Sequence, residues 1–136
     1  MRRSADDPTL AGSLRPRGPI QLAMTTHRAG SAIVVAVRGE LDILTAPKLT
    51  TRLDSVIRRQ RADVVIDLSD AEFIDSLGLH ALLNIQRRLN RRSRSLAVIC
   101  GEGPVLYAIE LARLTEALGV VSTLAEYELC RSARSG

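Results

Sequence analysis

The sequence predicts an α/β fold: a mixed β-sheet that starts with a hairpin, continues in βα units and is packed with about four helices. Two observations lead to this prediction. Short β-branched apolar runs, such as residues 32–37 and 64–68, are typical of buried strands. Between these runs lie segments whose aliphatic residues recur every three or four positions, as on the buried face of a helix. The resulting order, β-β-α-β-α-β-α-β-α, implies one sheet with helices packed against it.

The first third of the chain is predicted to hold a hairpin and a helix. Residues 20–27 form the first strand, residues 29–31 supply the turn, and residues 32–37 return beside the first strand. Thr45 is the candidate N-cap of the first helix, and Pro47 fits only in its first turn. The spacing of four aliphatic residues marks the buried face of this helix: Leu49, Leu53, Val56 and Ile57.

The middle of the chain is predicted to hold a buried strand, a long helix and a second buried strand. The first strand covers residues 64–68 and is expected to end at residues 69–70. The helix starts at about Ser76, and the second strand covers residues 95–100. Four leucines fall on one stripe of the helix: Leu79, Leu82, Leu83 and Leu89. Pro104 then sits well at the start of a further helix.

The last third of the chain is predicted to hold two helices separated by a short strand. The first helix is expected to be interrupted near Arg113, and the strand covers residues 119–121. Its predicted buried face is Tyr107, Leu111, Leu114 and Leu118. Thr123 and Glu126 have the spacing of a capping box, which predicts a last helix over residues 124–132.

Length and composition favour a single globular domain. The chain has 136 residues, of which 46% are hydrophobic, enough to bury a substantial core. We expect residues 20–133 to form the domain, residues 1–19 a disordered leader rich in proline and arginine, and residues 134–136 a disordered tail. The leader has acidic residues where a signal peptide would be apolar. We see no apolar run long enough to span a bilayer.

The positive charge is concentrated in the leader and in one cluster of arginines. The net charge is +4, and the cluster consists of Arg87, Arg88, Arg91, Arg92 and Arg94. Such a cluster serves either to bind nucleic acid or anionic lipid, or simply as the solvated end of a helix. We favour the helix end, because only 2% of the residues are aromatic and none interleaves the cluster. We therefore expect no sequence-specific nucleic-acid binding.

The two cysteines predict a reduced, cytoplasmic protein. Cys100 ends an apolar run and is expected to be buried, and Cys130 lies on the last predicted helix. The two have no CxxC spacing, although the sequence alone does not decide whether they have a redox role. No metal-ligand motif and no glycine-rich phosphate loop is present, so we expect neither a metal nor a cofactor.

Acidic and hydroxyl residues cluster before two of the predicted helices. The predicted loops at residues 39–47 and 69–78 follow neighbouring strands, and function in open α/β sheets gathers at this end of the strands. Asp75 or Ser76 could serve only as a helix cap. Large apolar residues flank this pair, however, and Leu77 would be a partner contact if it is exposed.

An enzymatic interpretation would make Ser76 a nucleophile, with His80 or His27 as its base. The G-x-S-x-G elbow is absent, because Ile74 and Gly78 stand where two glycines are required. We therefore predict that the protein is not an enzyme.

Two motifs resemble the STAS domain, specifically the bacterial anti-sigma factor antagonists. The resemblance runs over residues 22–129 and is carried by Gly39-Glu40-Leu41-Asp42 with Thr45-Ala46-Pro47, and by Asp67-Leu68-Ser69 with Phe73-Ile74-Asp75-Ser76-Leu77-Gly78-Leu79. It implies a cytoplasmic protein that binds an anti-sigma factor with serine kinase activity and a histidine-kinase-like ATPase fold. Binding would release a sigma factor. Phosphorylation of Ser76 would switch the protein off, and a serine phosphatase would act on the phosphorylated form.

The resemblance also implies a partner-binding surface. We expect it to contain Asp42, Thr45, Asp70, Asp75, Leu77, Gly78 and Leu79. The chain departs from the family at Leu77, where Ser or Thr is usual, and at His80, where glycine is frequent. Other relatives serve as accessory subunits of ABC-type lipid transporters or in stress-signalling complexes, and this is the alternative function.

Overall fold

The computed structural model describes residues 22–135, as five strands and four helices in the predicted order. The elements are β1 (Leu22–Ala29), β2 (Ala32–Leu41), α1 (Ala46–Arg59), β3 (Asp63–Ile74), α2 (Ser76–Asn90), β4 (Leu96–Ile99), α3 (Pro104–Leu111), β5 (Val120–Val121) and α4 (Leu124–Ser135). The predicted α/β fold is confirmed. The expected leader, residues 1–19, and the first two positions of the predicted first strand lie outside the described residues.

The five strands form one mixed sheet in the order β1-β2-β3-β4-β5. Strand β1 pairs antiparallel with β2, and the remaining neighbours pair in parallel. The hairpin turns at Gly30, whose φ of 61° is readily adopted by glycine. The carboxyl ends of β2 and β3 therefore lie side by side, and each leads directly towards a helix.

Strand β3 is longer than the sequence predicted. It was expected to end at Ser69 and Asp70, but it continues to Ile74 and pairs with β2 as far as Leu41. Register shifts in this stretch of the pair, together with the positive φ of 110° at Gly39, accommodate the extension. The predicted loop at residues 69–78 therefore shrinks to one residue, Asp75, between β3 and α2.

The main core lies between the sheet and helices α1, α2 and α3. Its buried residues include Leu53 of α1, Leu82 of α2 and Ile109 of α3, together with Ile66 at the centre of the sheet. Helix α4 packs on the other face, where Tyr127 closes a smaller apolar cluster. All four predicted aliphatic residues of α1 are buried, as the spacing indicated.

Two helices at the end of the chain differ from their predictions. Helix α3 ends at Leu111, and its buried residues are Val105 and Ile109. Of the predicted face, Tyr107 and Leu111 are exposed, whereas Leu118, beyond the predicted interruption, is buried. Helix α4 begins as the capping box predicted, with the Glu126 N–H donating to Thr123 Oγ1 at 3.0 Å. It continues to position 135 and so includes two of the three residues expected to form a tail.

Two members of the arginine cluster hold the ends of α1 and α2 together. Arg88 forms an ion pair with Asp54 of α1. The Arg94 guanidinium donates to the backbone oxygen of Ile57, in the last turns of α1, at 3.1 Å and to that of Ala62 at 3.0 Å. Cations near a helix C-terminus complement its dipole. This part of the cluster therefore has a structural role.

The cysteines are both free, and their environments differ. Cys100 is buried, as predicted, whereas Cys130 is exposed on α4. Burial, and then the negative charges of Asp67 and Glu110, raise the pKa of the Cys100 thiol above its ordinary value. Cys100 is thus a weakly reactive core residue.

Candidate functional site

The candidate site lies at the carboxyl ends of β2 and β3, where the chain continues into helices α1 and α2. The Asp75 N–H donates to the backbone oxygen of Leu41 at 3.1 Å, which fixes the start of α2 against the end of β2. The sequence placed acidic and hydroxyl residues at this edge, and the structure brings the two segments, residues 42–45 and 75–77, to it.

Asp75 is the cap of helix α2, and Ser76 is not. The Asp75 carboxylate accepts a hydrogen bond from the Gly78 N–H at 2.9 Å and so satisfies one of the free donors of the first turn. Ser76 is the first helical residue and is exposed. Its hydroxyl makes no hydrogen bond to any residue in the range 22–135. Capping therefore accounts for Asp75 and leaves Ser76 without a structural role.

Gly78 permits α2 to approach strand β2 closely. A Cβ at this position would lie 2.6 Å from the backbone oxygen of Leu41 and 2.8 Å from Cγ1 of Ile74. Gly78, which was expected to belong to a partner-binding surface, is buried within the protein. Its function is to allow this packing.

Thr45 organises the loop between β2 and α1 from a buried position. Its hydroxyl donates to the Glu40 carbonyl at 2.6 Å and accepts from the Asp42 N–H at 2.9 Å. Thr45 does occupy the N-cap position, but its side chain makes no capping bond to α1. Thr45, which was expected to contact a partner, is 2% exposed, so its hydroxyl serves the loop.

Asp42 folds the same loop so that two apolar residues face outward. Its Oδ1 accepts from the backbone N–H groups of Leu44, at 2.9 Å, and Thr45, at 3.1 Å. Between these fixed points Ile43 is 63% exposed and Leu44 76% exposed. Neither residue is among the partner-binding residues that the sequence predicts. The signal was available, since two large apolar residues lie between turn-forming polar residues.

Four exposed apolar side chains lie on α2 or on the segments next to its start, and we call them the apolar rim: Ile43, Leu44, Phe73 and Leu77. Leu77 was expected to contact a partner if it is exposed, and 46% of it is exposed. Ile43 and Leu77 line one shallow groove between α1 and α2. Apolar side chains grouped in this way mark interaction surfaces more often than isolated ones do.

The remaining predicted partner-binding residues are spread more widely. Asp70 is exposed, but it lies within β3 beside Arg38 of β2 rather than in a loop before the helix. Leu79 is half-buried and packs against the main core, so only part of its side chain faces outward.

Among the described residues 22–135, neither histidine is hydrogen-bonded to Ser76. His27 lies on the edge strand β1, paired with Val34, towards the opposite end of the sheet from Ser76. His80 is exposed one turn after Ser76 but makes no hydrogen bond with it. Within residues 22–135, no group of three or more His, Cys, Asp or Glu residues is placed to hold a metal ion.

None of the helices described between residues 22 and 135 combines the length and apolar character needed to cross a membrane.

Comparison with known proteins assigns the described region to one family. The family model for the STAS domain matches residues 23–127. The chain is 27% identical over 115 residues to the anti-sigma F factor antagonist of Paenibacillus polymyxa, covering 81% of this chain and 97% of that protein. It is also 27% identical over 106 residues to the anti-sigma-F factor antagonist RsfB of Mycobacterium tuberculosis, covering 78% of this chain and 86% of RsfB.

The fold is similar to that of a solved structure, which is also described as an anti-sigma factor antagonist. The crystal structure of an anti-sigma factor antagonist from Mycobacterium paratuberculosis superimposes with a TM-score of 0.75 at 26% sequence identity. The match covers 83% of this chain and 96% of that one. The similarity therefore extends over almost all of the described elements.

Proposed function

The chain belongs to the STAS domain family, and from this premise we propose that it is a cytoplasmic anti-sigma factor antagonist. Its partner would be an anti-sigma factor with serine kinase activity and a histidine-kinase-like ATPase fold. Binding would release the sigma factor, and phosphorylation of Ser76 would separate the complex. The names of the relatives support the anti-sigma partner, and the resemblance of the sequence motifs supports the kinase and Ser76.

This proposal rests on the different roles of two neighbouring residues, Asp75 and Ser76. Asp75 caps α2, so the Ser76 hydroxyl is exposed and makes no hydrogen bond within residues 22–135. A kinase can approach such a hydroxyl without first breaking a structural contact. The first turn of a helix also tolerates a phosphate, because its free N–H groups and the helix dipole favour negative charge.

The apolar rim is the surface on which the partner would dock. Ile43, Leu44, Phe73 and Leu77 leave much apolar area in water, and docking would remove it. A phosphate on Ser76 adds about 1.5 to 2 negative charges next to this rim and close to Asp75. An anion buried in an apolar contact without a cation is costly. The same modification that the fold tolerates would therefore weaken the complex.

In this proposal the protein is a substrate rather than an enzyme. The Ser76 Oγ would form a bond to the γ-phosphorus of ATP held by the kinase, while the bond to the ADP oxygen breaks. The serine proton would pass to a base of the kinase. A serine phosphatase would restore the hydroxyl by transferring the phosphoryl group to water.

Capture of the partner tests this function. We expect the wild-type chain, immobilised, to retain a histidine-kinase-like ATPase from the native cytosol, and the variant Leu77→Asp to lose it. The matched control is Leu111→Asp, because Leu111 is 67% exposed but lies on α3, away from the rim. Equal capture by all three baits would contradict the proposed surface. Recovery of an ABC transporter instead would support the accessory-subunit function.

A further inference from the structure

His80 lies one helical turn after Ser76 on the same side of α2. Residues four apart on a helix are about 40° apart around its axis and have Cβ atoms roughly 5–6 Å apart. Both residues are exposed, and the buried stripe of α2 is on the other side of the helix, at Gly78, Leu82 and Ile85. A group attached to the Ser76 hydroxyl is thus within reach of the His80 imidazole.

The surroundings of His80 offer it no charged partner. It lines the groove between α1 and α2, whose other lining residues are uncharged: Ile43, Ala46, Pro47, Thr50, Thr51, Leu77, Ala81 and Asn84. The nearest carboxylate along the chain, Asp75, already accepts from the Gly78 N–H. The imidazole makes no hydrogen bond within the described residues 22–135. An anion on Ser76 would give the imidazole a charged partner one turn away on α2.

We propose that His80 is the side chain that contacts the phosphate on Ser76. This inference rests on the proposed function and adds the residue that holds the modified state. Either form of the imidazole can donate an N–H to a phosphate oxygen, and the cationic form adds charge attraction. An anion four residues before a cation is also the favourable order on a helix.

The test uses the full chain with phosphoserine incorporated at position 76 during synthesis, so that no kinase is needed. The readout is the phosphorus NMR titration of the phosphate, whose second pKa is ordinarily about 6. A single helical pair of this kind corresponds to a shift of about 0.2 to 0.4 in pKa. We expect the phosphate pKa to be higher by this amount in His80→Ala and to return towards the wild-type value in His80→Lys.

The matched control is His27→Ala, since His27 is the other histidine, is also exposed and lies towards the other end of the sheet. It should titrate like the wild type. Coincident titration curves for the wild type and His80→Ala would overturn the inference. Failure of the proposed function has a different signature: the unmodified chain would not be phosphorylated on Ser76 by any captured kinase, whatever the NMR titration shows.

Discussion

The carboxylate of Asp75 accepts a hydrogen bond from the Gly78 backbone at 2.9 Å, across the first turn of helix α2. This one contact separates the structural residues of the motif from those that we propose to be functional. Asp75 and Gly78 build the turn, whereas Ser76 and Leu77, which lie between them, face outward. Substitutions at the four positions should therefore fall into two classes.

Asp75→Ala should destabilise the protein, and Ser76→Ala should not. Loss of an N-cap costs about 1 kcal/mol of unfolding free energy, and the Ser76 hydroxyl has no bond within the described residues to lose. Urea denaturation of both variants measures the difference. Asp70→Ala is the control, because Asp70 is exposed within β3 and should unfold like the wild type. Equal losses for Asp75→Ala and Ser76→Ala would mean that both residues cap the helix.

Gly78→Ala should destabilise the protein by overpacking. The added Cβ would lie 2.6 Å from the Leu41 oxygen, and this neighbour is backbone that cannot rotate away. Overpacking of this kind costs about 1–3 kcal/mol. Gly101→Ala is the matched control, since a Cβ there meets nothing within 4 Å. Thermal unfolding of the two variants should differ clearly, and identical melting temperatures would contradict the close approach.

Thr45→Val should destabilise the loop that presents Ile43 and Leu44. The substitution keeps the side-chain shape but removes the hydroxyl bonds to the Glu40 carbonyl and the Asp42 N–H. Leaving such groups without partners costs about 1–3 kcal/mol. Thr51→Val on the exposed side of α1 is the control. If both variants unfold at the wild-type denaturant concentration, the Thr45 hydroxyl is not structural.

The two thiols should react at very different rates. Cys130 is exposed, whereas Cys100 is buried with a raised pKa, so less of its reactive thiolate is present at any pH below that value. We expect an alkylating reagent at neutral pH to modify one cysteine quickly and the second only after unfolding. Peptide mass mapping identifies the labelled residue. Rapid labelling of Cys100 in the folded chain would contradict its place in the core.

Much of the fold followed from the sequence because hydrophobic periodicity reports burial directly. The predicted buried face of α1, which includes Leu49 and Leu53, was correct. In a 14-residue helix the apolar spacing repeats over several turns, so it identifies one face clearly. Helix α3 has only 8 residues and is apolar on most sides, so its sequence is compatible with two different buried faces. The predicted face was wrong at Tyr107 and Leu111, which are exposed. It was correct at Leu118, which lies beyond the end of α3 and is buried.

The site was harder to predict because polar residues also occupy exposed positions within strands. Ser69 and Asp70 were interpreted as a break, but they lie in β3, whose pairing with β2 continues past them. Thr45 shows the opposite problem, since a hydroxyl residue in a functional motif is buried to hold a loop. The Thr45 partners, Glu40 and Asp42, are close in sequence, but polar residues in one loop can bond in several ways, and the pattern alone does not select one.

The affinity of the purified chain for its captured kinase, measured with and without ATP, tests the central role of Ser76 most directly. We predict that ATP weakens wild-type binding by about tenfold or more, leaves Ser76→Ala bound and leaves Ser69→Ala, the control, behaving like the wild type. Ser76→Asp should bind more weakly without ATP, though less so than the phosphorylated chain, because its charge is smaller. If Ser76→Ala and Ser76→Asp both bind like the wild type and ATP changes none of the affinities, Ser76 is not the switch.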